Sequence, residues 1–419
     1  MDDRRGAAAR LEPGVCAVLG VRELPVRLVA WDGSGVGPVD GPRLVLRSHR
    51  ALRRLLWAPG ELGFGRAYVS GDLDIDGDIF AALSALRPST RLDEDGDTPL
   101  TWRERAQLLA TAARLGAIGP NPAPPPEEIR LTGRQHGPNR DQRAVSHHYD
   151  VGNEFYRLVL GPTMLYSCAY FPSAAASLDE AQVAKLDLIA TKLDLAPGQR
   201  LLDVGCGWGS LAIHAARKCG VDVVGITLSH EQAELARKRV AEAGLTDQIE
   251  IRVQDYRDVD DGPYDAISSI GMAEHVGSAN MAEYARRLHD LLRPGGRLLN
   301  QAISWSRGET RWDGDTFISR YVFPDGELIT LGATVIVLEE NGLEVLTVQA
   351  LRPHYARTLR AWVQRLEDGW SEAVQLTGEG RARVWRLYMA GSALSFEDGT
   401  LGVNQVLAVR PDVPARASS

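Results

Sequence analysis

Cysteine is scarce in these 419 residues: there are four, Cys16, Cys168, Cys206 and Cys219, with no CxxC pair and no metal-ligand spacing. That excludes a zinc site and fits a reducing cytoplasm. Positive charge is also short, since 47 Lys and Arg against 55 Asp and Glu leave a formal net charge of −8. Such a balance offers no electrostatic footprint for nucleic acid, and that class of partner is set aside. Long apolar runs are missing too: those such as 334–338 are far too short to span a bilayer, and residues 1–10 lack the apolar core of a signal peptide. The expectation is a soluble chain of two domains, at most peripheral to a membrane.

What the chain has is a glycine turn. Residues 201–209 read Leu-Leu-Asp-Val-Gly-Cys-Gly-Trp-Gly, a short apolar strand running into three alternating glycines before a helical stretch at 210–218. Glycines at that junction let the backbone turn tightly and let a ligand lie against bare peptide, although packing alone also places glycine there. Asp203 before the first glycine and a second strand at 221–226 favour binding. No Asp or Glu closes that second strand, where Thr227 and Leu228 stand. This disfavours NAD and favours another adenosine ligand.

One boundary is legible. Residues 116–140 hold Pro120, Pro122, Pro124, Pro125, Pro126 and Pro138 among glycines and charges, a composition expected of an interdomain linker. Before it (residues 1–115), strands are expected at 24–31 and 44–47 and a helix at 79–86, in a smaller α+β domain without convergent catalytic residues, suited to lipid binding or assembly. After it (residues 141–419), the pattern predicts helix 178–193, strand, helix, strand 221–226, helix 229–243, strands 249–253 and 265–270, helix 281–291 and strand 297–303. Strands alternating with helices imply an α/β fold of Rossmann type with a mostly parallel sheet, its ligand chemistry at the strands' carboxyl ends near Gly205, Thr227, Asp255 and Gly271.

The runs His147-His148-Tyr149-Asp150-Val151-Gly152-Asn153-Glu154-Phe155-Tyr156 and Tyr166-Ser167-Cys168-Ala169-Tyr170-Phe171, the glycine turn, Gly225-Ile226-Thr227-Leu228-Ser229, Gln254-Asp255-Tyr256-Arg257-Asp258, Glu274-His275-Val276-Gly277 and Pro353-His354-Tyr355 together carry a resemblance. They resemble the cyclopropane-fatty-acyl-phospholipid synthase family of S-adenosylmethionine-dependent methyltransferases, including its methylene-forming members of the tuberculostearic acid route. The resemblance covers everything after the linker. It implies S-adenosylmethionine as cofactor, held by Tyr166, Ser167, Asp203, Gly205, Gly207, Thr227, Leu228, Gln232, Asp255 and Tyr256. Asp255 would accept from the adenine amino group with Tyr256 stacking alongside, and Ser229 with Gln232 also reads as a capping box. His147 and His148 would order a helix over the pocket rather than move protons.

The implied chemistry is methyl transfer to an isolated alkene, a poor nucleophile that needs a dry pocket and close alignment. A carbocation follows, and a base must take a proton from it. The resemblance implies bicarbonate as that base, gripped by Glu274, Tyr355 and the backbone at Cys168. The departure is Asn300-Gln301-Ala302, where ring-forming members carry His-Thr-Ile. Asn300 cannot carry positive charge near pH 7, so a bound anion loses a charge-assisted contact, and Ala302 opens space. Ring closure and methylene formation both stay open, and Asn300 with Ala302 favours methylene.

Residues 304–342 are expected to include an acyl-covering insertion. Tyr355, Leu359, Trp362 and Leu366 recur at helical spacing, with Arg352, Arg357, Arg360 and Arg365 among them. This reads either as an apolar lid with cations toward lipid phosphates or as an ordinary packed helix with solvated arginines. The expected partners are unsaturated phospholipid acyl chains at the inner membrane face, a homodimer, and a separate reductase where the product is a methylene. Two alternatives stand beside this reading: an inactive acyl-lipid binding protein, and a methyltransferase for a small polar acceptor.

Overall fold

The computed structural model describes residues 6–87, 102–129, 140, 151–306 and 316–412. The chain divides into two compact units: residues 1–129, 315–322 and 377–394 form the first, and residues 130–314, 323–376 and 395–419 the second. The His147-His148 pair lies outside the described residues.

The first unit carries a four-stranded sheet of β1 (Arg27–Val29), β2 (Gly35–Val36), β3 (Arg43–Leu46) and β4 (Leu73–Asp76), in the order β2-β1-β3-β4. β1 falls inside the strand expected at 24–31, β3 lies one residue earlier than the strand expected at 44–47, and the helix Ile79–Leu86 starts where the Asp78 side chain accepts from Phe80 and Ala81. Residues 117–129, expected in a linker, are instead bound down on this unit. Proline-rich backbone lacks donors but keeps its carbonyls, and the unit's cations meet them. Arg54 Nη1 donates to the Ala123 carbonyl at 2.8 Å, Trp57 Nε1 to Gly119 at 3.0 Å, and Arg66 forms a two-pronged pair with Glu128 at 2.7 and 2.6 Å.

The second unit is the α/β body. Its sheet runs β11 (Glu344–Ala350), β12 (Leu401–Val409), β9 (Leu292–Trp305), β8 (Tyr264–Ile270), β5 (Arg200–Val204), β6 (Asp222–Thr227) and β7 (Ile249–Val253), with the short β10 (Ile329–Thr330) beside β9. From β9 to β7 all pairings are parallel, while β12 is antiparallel to both its neighbours. Successive residues of β5 point to opposite faces, so Leu201 enters one apolar core with Leu186, Ile189 and Leu211, and Leu202 the other with Tyr284 and Leu288. The helix Leu178–Leu193 opens on a reciprocal cap between Ser177 and Glu180 and closes at Asp194 in the left-handed region.

Two spans singled out in the sequence can be placed. Within the span expected to cover an acyl chain, the helix Leu331–Glu340 buries Leu338 completely beside Leu288 and Leu343, making it a layer of the sheet body. Residues 316–322 belong to the first unit, where Phe317 fills the space a Cβ on Gly65 would need. In the helix Arg352–Asp368, Tyr355, Leu359, Trp362 and Leu366 are buried, as an ordinary packed helix has them. Its arginines tie chain segments together: Arg357 donates to the carbonyls of Ser173, Ala174 and Ala176, and Arg365 to Leu160 and to Asp179. Those donors are held by carbonyl and carboxylate oxygens of the same unit.

Candidate active site

β5 ends at Val204 and the chain turns through Gly205 (φ +78°) and Gly207 (φ +53°), left-handed conformations that glycine adopts without strain. No atom lies within 4 Å of where a Cβ on Gly207 would sit. That free space is a cavity at the carboxyl ends of β5, β6, β7 and β8. Tyr166, Ser167, Asp203, Gly205, Gly207, Thr227, Leu228, Gln232, Asp255 and Tyr256 all line it.

Most of the polar lining is already tied on one side. Thr227 Oγ1 donates to Gln232 Oε1 at 2.8 Å, which leaves the Gln232 amide nitrogen for a ligand. The expected capping box is half made: Ser229 Oγ accepts from the Gln232 backbone at 3.2 Å, but the Gln232 side chain goes to Thr227 instead of back to Ser229. Asp255 accepts from the Arg257 backbone and from its guanidinium at 2.9 and 2.6 Å. Burial pushes the Asp255 carboxyl up, but these contacts outweigh it and hold the group below its ordinary value. Tyr256 is buried edge-on against Tyr284, with centroids 5.4 Å apart.

Two residues of this wall escaped the sequence reading. Lys185, 1% exposed, lines the cavity and donates from Nζ to Ser167 Oγ at 2.7 Å. One turn earlier, Gln182 Nε2 donates to the carbonyls of Leu165 and Ser167 at 3.3 and 3.1 Å. The signal was present, because Leu178, Ala181, Gln182, Lys185, Leu186 and Ile189 recur at the spacing of one helix face, and polar residues on an apolar stripe are costly unless paired.

Glu274, Cys168, Tyr355 and Asn300 do not line this cavity. Glu274 sits on the short turn Ala273–His275 after β8, where Oε1 accepts from the Ile303 backbone at 2.8 Å and the buried Oε2 has no donor among the described residues. Burial raises its carboxyl to about 7. A backbone relay joins Glu274 to the other residues: Ile303 pairs with Val403, the Val403 carbonyl accepts from Leu351, and the Leu351 carbonyl accepts from both Tyr355 N–H at 3.1 Å and Cys168 Sγ at 3.7 Å. Cys168 is fully buried, which pushes its thiol well up and leaves it no part as a nucleophile. Asn300 turns to the helix Met281–Leu291: its Oδ1 accepts from the Tyr284 hydroxyl at 2.9 Å, Ser269 Oγ lies 2.6 Å from that hydroxyl, and among the described residues its buried Nδ2 has no acceptor. Ala302 belongs to the same core as Tyr284.

With this geometry stand three comparisons. Residues 136–406 match the mycolic acid cyclopropane synthetase family. The chain belongs to that family. It is an S-adenosylmethionine-dependent methyltransferase of lipids, with the Rossmann-like fold the sequence implied. A Mycobacterium tuberculosis protein named as a probable fatty acid methyltransferase is 45% identical over 93% of this chain and 92% of its own length. The tuberculostearic acid methyltransferase UfaA1 of the same organism is 35% identical over 93% of this chain and 89% of its own. The solved mycolic acid cyclopropane synthase CmaA1, complexed with SAH and CTAB, is 36% identical over 64% of this chain and 98% of its own, with a TM-score of 0.61. The cavity suits an adenosylated amino acid: bare backbone at Gly207, an amide at Gln232, and an acid and a base in one wall at Asp203 and Lys185. Among the described residues no group of His, Cys, Asp or Glu could hold a metal ion, and no helix is long and apolar enough to cross a membrane.

Proposed function

We propose that this enzyme methylates the double bond of an unsaturated phospholipid acyl chain and directs the resulting cation to a mid-chain methylene. The carrying observation is coverage. Relatives named as fatty acid methyltransferases match 93% of the chain, whereas a cyclopropane mycolic acid synthase matches 62%, 94% of its own length. The shared extra length includes the first unit, which we assign to lipid binding or assembly at the membrane surface.

When bound, S-adenosylmethionine supplies an electrophilic methyl group. The glycine turn, Thr227, Gln232, Asp255 and Tyr256 hold and orient it, and Tyr166 with Ser167 closes the wall. Glu274 provides the hydrogen-bond acceptor that holds the proton-taking base. Its unpaired Oε2, with Tyr355 and Cys168 nearby along the backbone relay, fits a small anion such as bicarbonate held between them, and an ionised Glu274 keeps the hydroxyl of that anion turned toward itself. Asn300 acts one step back, through Tyr284, whose hydroxyl feels the Glu274 charge.

The test is incubation of the full chain with an oleoyl phospholipid and labelled cofactor. Methylene and cyclopropane products have equal mass, so vinylidene against ring proton resonances decide between them. Vinylidene signals are expected. Ring protons alone would overturn the product assignment, and label only in soluble metabolites would favour a small polar acceptor.

A further inference from the structure

Lys185 is a cation in a buried wall, where desolvation penalises its charge, and its position needs an explanation beyond packing. An ammonium group has three donors and no acceptor. One donor goes to Ser167 Oγ at 2.7 Å, and Gln182 fixes the same residue from its carbonyl side at 3.1 Å. A serine oxygen that accepts from a cation turns its own proton away from it and is left as a donor. Across the wall, Asp203 Oδ1 accepts from Ser268 Oγ at 2.8 Å, and no donor among the described residues reaches its second oxygen. Burial pushes Asp203 up to about 6 and Lys185 down to about 8, so both remain ionised at neutral pH. The cavity therefore presents a negative and a positive pole in one wall.

We propose that Lys185, with Gln182 behind it, is the positioning residue for the amino-acid end of the cofactor, setting Ser167 as donor to the carboxylate while Asp203 faces the ammonium. This rests on the cavity being the cofactor site and names which ligand group its poles select. A purely structural Lys185 would make no such selection.

The experiment is calorimetry of the full-length chain with two ligands: S-adenosylhomocysteine, which carries the amino acid, and methylthioadenosine, which lacks it. Lys185→Met keeps the length of the side chain and removes its charge. Its affinity for S-adenosylhomocysteine should fall about tenfold to a hundredfold, in line with losing a hydrogen bond that involves a charged group, while methylthioadenosine changes less than about threefold. Ser167→Ala should act in the same direction with a smaller loss, and it decides the matter if Lys185→Met does not fold. Equal losses for both ligands, or none for S-adenosylhomocysteine, overturn the proposal. A wild-type chain that binds neither ligand overturns the cofactor site as well.

Discussion

Around the cavity at Gly207 the polar groups are tied in advance: Thr227 holds the side-chain oxygen of Gln232 and leaves its amide nitrogen, Lys185 holds Ser167 Oγ and leaves its proton, and Arg257 grips both oxygens of Asp255. At Glu274 the arrangement is reversed, with one carboxyl oxygen on a backbone donor and the other buried with none among the described residues. A wall tied in advance binds a ligand without reorganising, whereas an unpaired buried carboxylate costs stability and is kept for a step in which charge moves. Binding and turnover should therefore come apart under mutation.

The largest effect is expected at Gly207. Gly207→Val puts a branched side chain at φ +53° and into the ligand's space, so cofactor affinity should fall more than about a hundredfold while circular dichroism stays native. Unchanged affinity in a folded variant would erase the distinction between the two regions. Next comes Glu274→Gln, which keeps shape and removes the acceptor. Turnover should drop on the order of a hundredfold, with cofactor affinity within about threefold. Tyr355→Phe should follow in the same direction, on the order of tenfold.

The Glu274 carboxyl also gives a pH signature in two readouts. Its ordinary value is 4.5 and burial lifts it to about 7, so the acid limb of the rate profile should fall near 7. For stability the sign is opposite. Below 4.5 the folded and unfolded chains both hold the proton; between 4.5 and about 7 only the folded chain keeps it, so stability falls as pH rises through that window and the loss is complete above it. Glu274→Gln should melt higher than wild type at pH 8 and about equal to it at pH 4. A variant that melts lower at pH 8 would mean that the carboxylate has a partner.

The smallest effect belongs to Tyr284→Phe. It deprives Asn300 of its hydrogen bond and should cost about 1–3 kcal/mol in chemical denaturation, leaving cofactor affinity unchanged. If Asn300 tunes Glu274 through Tyr284, the ratio of methylene to ring product shifts as well.

The convergence of these residues on one cavity was legible because its signals are local: glycines at left-handed φ, Asp255 at the end of a strand, a capping serine. The helix at 178–193 and the strand at 249–253 were readable to the residue, since each has clean periodicity and strong ends. Lys185 and Gln182 were not read, because their meaning depends on Ser167 lying against that helix. β12 escaped for a related reason: Asn404 and Gln405 break its apolar run, and only burial reveals that they bond Ser304 and Gln301 of β9. The direction of Asn300 toward Tyr284 depends on a helix 16 positions earlier in sequence, which no local pattern encodes.

β11 forms one edge of the second unit's sheet and shows Leu346 and Val348, 44% and 43% exposed. A flat apolar edge of this kind is a template on which another chain can add a strand and start an aggregate. The pairing register slips between Val345 and Thr347, inserting Leu346 as an extra residue that bends the edge. A strand arriving from a second copy meets an edge whose regular pairing is interrupted, a geometry that disfavours strand addition.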